Sequence, residues 1–222
     1  MYQLLLVALG VLHLPYSRPC CSPNVLQGDI MVYGYVTEEK KSYQNMVKVY
    51  YDADEKKVAK KTTVMMGNKP TEVLTIDDYV KGKRYVITNG NTCNVTELKE
   101  QFEKICVTPN AKFLGSTVLG NTNTNMRVDM YSANIRRGEI SFETSFMVTP
   151  MDGGDCTLVG VVANGKEEGN LFMMETSIYS NFTFEIPDKS VFKPPSECFR
   201  YESMGNLLFE VIGRYRQKNV NY

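Results

Sequence analysis

The chain has 222 residues, 43% of them hydrophobic and 23% charged, an ordinary globular balance with the length of one large domain. Its 25 basic and 25 acidic residues cancel, which removes any electrostatic case for nucleic acid or an anionic membrane surface as partner.

Leu4 to Leu14 is an apolar run broken only by Gly10 and His13, followed by Pro15, Tyr16, Ser17 and Arg18. It reads as the core of a secretory signal over residues 1–17, with residues 18–222 as the mature domain; the competing reading is a buried first strand or helix. The run falls short of the about 20 residues that cross a bilayer, and nothing downstream is longer, so a soluble, non-spanning protein is expected.

Beyond the signal the hydrophobic period is two rather than 3.6. Ile30 to Val36 reads as a strand covered on both faces. Val47, Val49 and Tyr51 alternate with Met46, Lys48 and Tyr50; the polar run Asp52 to Lys56 turns the chain, and Val58 starts the return. Lys81-Gly82-Lys83 and Asn89-Gly90 mark further turns. Ile140, Phe142, Thr144, Phe146 and Val148 share one face of a strand, Thr157 to Val162 forms another, and Phe182, Phe184 and Ile186 alternate with Asn181, Thr183 and Glu185. Two segments carry helical spacing. Asn94 to Ile105 places Leu98, Phe102 and Ile105 together behind an Asn94/Glu97 capping box. Met204, Leu207, Leu208, Val211 and Tyr215 define an amphipathic C-terminal helix opened by Ser203, which should pack on the sheet. Roughly ten strands with short turns predict an all-β fold with one or two short helices, as an antiparallel double sheet or open barrel.

The only histidine is His13, so the mature chain would have none. That excludes Ser-His-Asp and Cys-His mechanisms, histidine-ligated zinc and histidine general bases. No phosphate-binding glycine loop or nucleophile-elbow motif occurs. A carboxylate pair is the one catalytic device the composition leaves open, and no enzymatic activity is expected.

Six cysteines, Cys20, Cys21, Cys93, Cys106, Cys156 and Cys198, follow the signal. An even count in that context implies disulfides, with about 15 pairings open and a strained bond between the adjacent Cys20 and Cys21 discounted. Asn94-Val95-Thr96 and Asn181-Phe182-Thr183 are glycosylation sequons, the second on the polar face of its strand. Asp52, Asp54 and Glu55 open like a calcium loop but lack its glycine and closing glutamate. Asp152 and Asp155 flank two glycines in a loop that could hold calcium weakly or be a solvated turn. No cofactor is required, and calcium is the one ion considered. The 14 Tyr, 10 Phe and 12 Met, with Met65-Met66 and Met173-Met174 as pairs, would fill a core or line a cavity.

The C-terminal third carries a family resemblance. Val191-Phe192-Lys193-Pro194-Pro195-Ser196-Glu197-Cys198, preceded by Asp188-Lys189-Ser190, resembles the ependymin signature. Pro109 to Gly115 with Leu119-Gly120 resembles the middle block of invertebrate ependymin-related proteins, Asp155-Cys156 the cysteine after their central strand, and Cys20-Cys21 with Pro23 their mature start. The similarity runs from Cys20 to Tyr201. It implies secreted glycoproteins, lysosomal in some members, with two stacked antiparallel sheets forming a half-open barrel similar to bacterial lipoprotein carriers. It implies an apolar pocket for lipid or fatty-acid-like ligands, homodimers, calcium association and contact with extracellular matrix. It also implies pairing of Cys93 with Cys198, and of Cys20 and Cys21 with Cys156 and Cys106 in one order or the other. The chain departs from vertebrate members, lacking their cysteine near the C-terminus and carrying Cys106 and a doubled N-terminal cysteine.

Two functions follow as expectations: a secreted carrier of a hydrophobic ligand, or a calcium-associated matrix-adhesion glycoprotein. For the carrier the pocket candidates are the apolar faces of the clearest strands, Val47, Val49, Tyr51, Phe142, Phe146, Phe182 and Phe184.

Overall fold

The computed structural model describes residues 20–199 apart from 67, 68, 122, 138, 139 and 168. The predicted signal at 1–17 and the predicted helix around Met204 to Tyr215 lie outside the described residues. Eleven strands follow one another: β1 (Val25–Val36), β2 (Lys41–Asp52), β3 (Lys57–Met66), β4 (Lys69–Asp78), β5 (Lys83–Thr88), β6 (Thr92–Glu97), β7 (Lys112–Gly120), β8 (Asn125–Arg137), β9 (Ile140–Pro150), β10 (Cys156–Glu167) and β11 (Asn170–Thr183).

The fold is all-β and antiparallel, as the alternation predicts. Every strand joins one sheet in the order β6-β5-β4-β3-β2-β1-β11-β10-β9-β8-β7, which is not closed: β6 and β7 are its edges. Two up-and-down meanders, β1 to β6 and β7 to β11, meet where β1 pairs with β11. The turns form where residue types tolerate a left-handed backbone. Asn89 and Gly90 take φ of 49° and 74° at the β5–β6 hairpin, and Gly82 takes 63° between β4 and β5.

Register sets two faces. On the inner face Leu26, Gly28 and Ile30 of β1 pair with Tyr51, Val49 and Val47 of β2, and Val49 pairs with Lys60 of β3. Across the junction Ile30 and Val32 pair with Tyr179 and Ser177 of β11. In the second meander Tyr131, Ala133 and Ile135 of β8 pair with Phe146, Thr144 and Phe142 of β9. The sheet curls toward this face. Asp77 of β4 and Leu158 of β10 line the same cavity, yet five strand spacings of about 4.8 Å would set them about 24 Å apart in a flat sheet.

Among the described residues the cover of the outer face lies at one end. Ala59, Ile76, Tyr85, Ile87 and Cys93 bury themselves beneath Ile186, Phe192 and Cys198 of the segment after β11. That segment includes a 3₁₀ helix, Lys189–Phe192, and is fastened by the Cys93–Cys198 disulfide. The Lys189 ammonium reaches the buried Asp52 carboxylate and that of Glu55, at 2.9 Å each, while Asp52 also accepts the Glu55 backbone N–H at 2.8 Å. Elsewhere the outer face carries large apolar groups in solvent. Tyr33 and Tyr35 are 40% and 39% exposed, so β1 is covered on one face rather than on the two its sequence predicts.

The predicted helix over Asn94 to Ile105 does not form. Thr92 to Glu97 is strand β6, because Cys93, Val95 and the flanking threonines fit a half-buried ladder, pairing with Ile87 and Tyr85 and bringing Cys93 to Cys198. Asn94 is therefore an exposed strand residue rather than a helix cap. Leu98 to Ala111 becomes a strap that crosses the inner face before β7.

Candidate functional site

The strap is held at each stage of its crossing. Its first residue, Leu98, donates its N–H to the Gly82 carbonyl at 2.8 Å. Phe102 then stacks on Tyr51 at 5.8 Å and meets Tyr79 edge-on at 5.3 Å. The N-terminal residues fork to secure the remainder of the strap. Cys20 bonds to Cys156 at the start of β10, and Cys21 bonds to Cys106 in the strap. Ser22 N–H donates to the Ile105 carbonyl and Val107 N–H to the Cys20 carbonyl, both at 2.8 Å, and Cys156 N–H donates to the Cys21 carbonyl at 2.9 Å. The Tyr51 hydroxyl accepts the Ile105 N–H at 3.4 Å from below. Val107, Tyr131, Val148 and Cys156 form a small core at this anchor, with Phe113 and Phe146 packed against it.

On either side of Ile105 the strap leaves a cavity open to solvent. The larger, about 330 Å³, is walled by Leu26, Ile30, Val49, Tyr51, Val58 and Phe182, with Asp77, Tyr79, Tyr179, Lys60 and Glu103 toward its polar parts. The smaller, about 240 Å³, is almost wholly apolar, walled by Ala133, Ile135, Phe146, Val148 and Val161. Ile105 and Leu158 line both, so the two are compartments of one groove sharing a wall.

Phe182 reaches the groove because β1 makes room. A Cβ at Gly28 would lie 2.3 Å from its ring. At the far end of the same face, a Cβ at Gly34 would lie 2.1 Å from the Tyr43 ring, which lies across it. The Tyr43 hydroxyl donates to Glu175 at 2.8 Å. Burial, that bond and the Glu175 charge push its pKa up to about 12. Tyr179 is also pushed up to about 12, by burial first and the Glu175 charge second. Both phenols stay neutral at ordinary pH, and of the two Tyr179 lines the larger compartment.

Of the predicted pocket residues, Val49, Tyr51 and Phe182 line the larger compartment and Phe146 the smaller. Val47 lies on the same face beside Ile30. Phe142 does too, packed edge-on against Phe172 at 6.3 Å, but neither of these two lines either compartment. Phe184 does not take part. Strand β11 ends at Thr183, the alternation through Phe182 stops there, and Phe184 is 45% exposed. The strap residues and Leu158, Tyr179 and Lys60 are not among the predicted pocket residues. Lys60 carried a signal, since it stands two residues from Val58 and so on the same face.

The calcium expectation finds no support in the structure. Among the described residues no three carboxylate, histidine or cysteine side chains gather to hold a metal ion. Asp152 lies in a 3₁₀ turn, Asp152–Gly154, closed by Met151 N–H donating to the Asp155 carbonyl, so the loop satisfies itself. The acidic turn after β2 is neutralised by lysines: Glu55 meets Lys57 at 2.8 Å as well as Lys189. Of the sequon asparagines, Asn94 and Asn181 are both exposed; Asn181 has a left-handed φ of 54° and donates to Asp29 at 2.9 Å.

The described chain is thus an antiparallel β protein, cross-linked by three disulfides, whose curled sheet encloses a strapped apolar groove. It belongs to the ependymin family: the family model described as Ependymin matches residues 67–198, more than half of the chain. That membership and the three disulfides point to an extracellular setting. No curated protein matches the chain in sequence. Among solved structures, a LolA superfamily protein from Nitrosomonas europaea is similar at 8% identity and a TM-score of 0.38, covering 77% of this chain and 90% of that one. A likeness that loose says nothing of function. Among the described residues no helix is long and apolar enough to cross a membrane.

Proposed function

We propose that the protein is secreted and carries a hydrophobic ligand in the groove, as a binding protein rather than an enzyme. The observation that carries this is the pair of apolar compartments meeting at Ile105 and Leu158, together about the size of a small-molecule site. Solvated, these walls expose aliphatic and aromatic carbon to water. Each methylene moved onto them contributes about 0.8 kcal/mol. A chain of about ten carbons therefore brings roughly 8 kcal/mol against the cost of association, enough for binding in the micromolar range or weaker. Asp77, the most buried carboxylate of the larger compartment, is clamped by Arg84 through two bonds, at 2.5 and 3.0 Å, which favours a structural role over acid-base work.

The test is mass spectrometry of organic extracts from protein secreted by eukaryotic cells, beside native spectra of the intact chain. Stoichiometric lipid, or uptake of a fluorescent alkyl probe that Phe182→Asp weakens at least tenfold, is the expected result. An empty protein that takes up no such probe overturns the carrier reading and moves the function to the adhesive glycoprotein.

A further inference from the structure

We infer that the ligand of the larger compartment is a single-chain amphiphile with an anionic head, and that Lys60 is the residue that receives that head. This rests on the carrier reading and narrows it to a chemical class.

Lys60 stands on the wrong face for an ordinary surface lysine. It pairs with Val49 across β2–β3 and lines the same compartment as Val49, Tyr51 and Val58. It is exposed while lining an apolar wall, the setting in which a lysine lays its aliphatic stem on apolar surface and keeps its ammonium in water. Lys41, Lys57, Lys61, Lys81, Lys166 and Lys189 each meet a carboxylate within 4.0 Å. Lys60 has no such partner among the described residues.

The other charges of the compartment leave Lys60 as its free cation. Asp77 is taken by Arg84. Glu103 is an exposed carboxylate on the strap, where solvent screens it. A ligand whose chain lies among Leu26, Ile30, Phe102 and Phe182 brings its head to the rim. There a carboxylate or phosphate monoester gains a charge-assisted bond from Lys60 that a neutral or cationic head does not.

Four probes with the same chain separate the outcomes: dodecanoate, dodecyl phosphate, dodecanol and dodecyltrimethylammonium, each titrated calorimetrically at low salt into the full secreted protein and into Lys60→Met. The wild type should bind the anions about three- to tenfold more tightly than dodecanol. Lys60→Met should bring that ratio to about one while the protein still binds dodecanol. Comparing the carboxylate with the phosphate then distinguishes a fatty acid from a phosphorylated lipid. An anion-to-alcohol ratio that is the same in both proteins, or tightest binding of the cationic probe, overturns the role of Lys60 while leaving the carrier reading intact. Failure of the wild type to bind any of the four overturns both.

Discussion

Releasing the strap from the N-terminus tests whether it is built into the fold as the geometry implies. In the double variant Cys21→Ser/Cys106→Ser the other two disulfides remain. The bond spans 85 residues of sequence, but Cys20–Cys156 already joins the N-terminus to β10. The loop it closes in the unfolded chain therefore runs only from Cys106 to Cys156, about 50 residues, and loop-closure entropy for that length is about 4 kcal/mol at 25 °C. Little is lost in the folded state, since Cys106 is exposed and Cys21 half-buried, and the backbone bonds from Ser22 N–H to Ile105 and from Val107 N–H to Cys20 remain. Nearly all of the change should come from the freed unfolded ensemble. Urea unfolding followed by far-ultraviolet circular dichroism should show a loss of about 3–4 kcal/mol with a somewhat larger m-value. A loss under about 1 kcal/mol would refute the reasoning, because it would mean that the strap does not close that loop in the folded protein.

Gly28→Ala forces the Phe182 ring off the sheet and should cost about 1–3 kcal/mol in a thermal melt while weakening alkyl-probe uptake; an unchanged melt rejects the packing described. Glu55 is held down to about 2 by its bond to Lys57 first and Lys189 second, against 4.5 when free. Its contribution is therefore present above about pH 4.5 and lost as pH falls toward 2, and urea midpoints over that window should drop less steeply in Lys189→Met than in the wild type. At the alkaline end the sign reverses. Tyr43 ionises near 12 in the fold and near 10 when unfolded, so its contribution is present below pH 10 and lost as pH rises toward 12. Tyr43→Phe should flatten that limb, and a wild-type tyrosinate absorbance titration in which every phenol ionises near pH 10 would contradict it.

How much of this was legible depends on how local the cause is. The alternation of Val47, Val49 and Tyr51, and of Phe142, Phe146 and Val148, states which side chains share a face, because a strand's period is fixed by its own backbone. The Asn89-Gly90 turn is equally local. Asn94 to Ile105 misled because a capping box and a 3.6 spacing of Leu98, Phe102 and Ile105 are local signals too. They were outweighed by pairing with β5 and by the tie from Cys93 to Cys198, partners about 10 and 105 residues away. Phe184 misled for the opposite reason, since alternation cannot say where a strand stops. Lys60 could be placed on the apolar face from Val58, but that no carboxylate among the described residues meets its ammonium follows only from how Arg84, Asp77 and the strap are arranged in space.

The groove itself is a consequence of unequal cover. A sheet of eleven strands presents two faces, and its apolar residues need something laid over them on each side. On the outer face the segment through Phe192 and Cys198 buries one end completely, with Ala59 and Ile76 at 0% exposure. On the inner face the only described cover is the strap, a single extended segment bearing Phe102, Ile105 and Val107. It can seal the residues directly beneath it, which is why Tyr51 and Tyr131 are buried, but it is too narrow to close the walls on either side. Curling brings β4 and β10 toward each other and deepens the gap without filling it. Apolar walls left open between a curled sheet and a narrow strap gain most from a guest that is long, thin and hydrocarbon, which is the shape of an alkyl chain and not of a folded peptide.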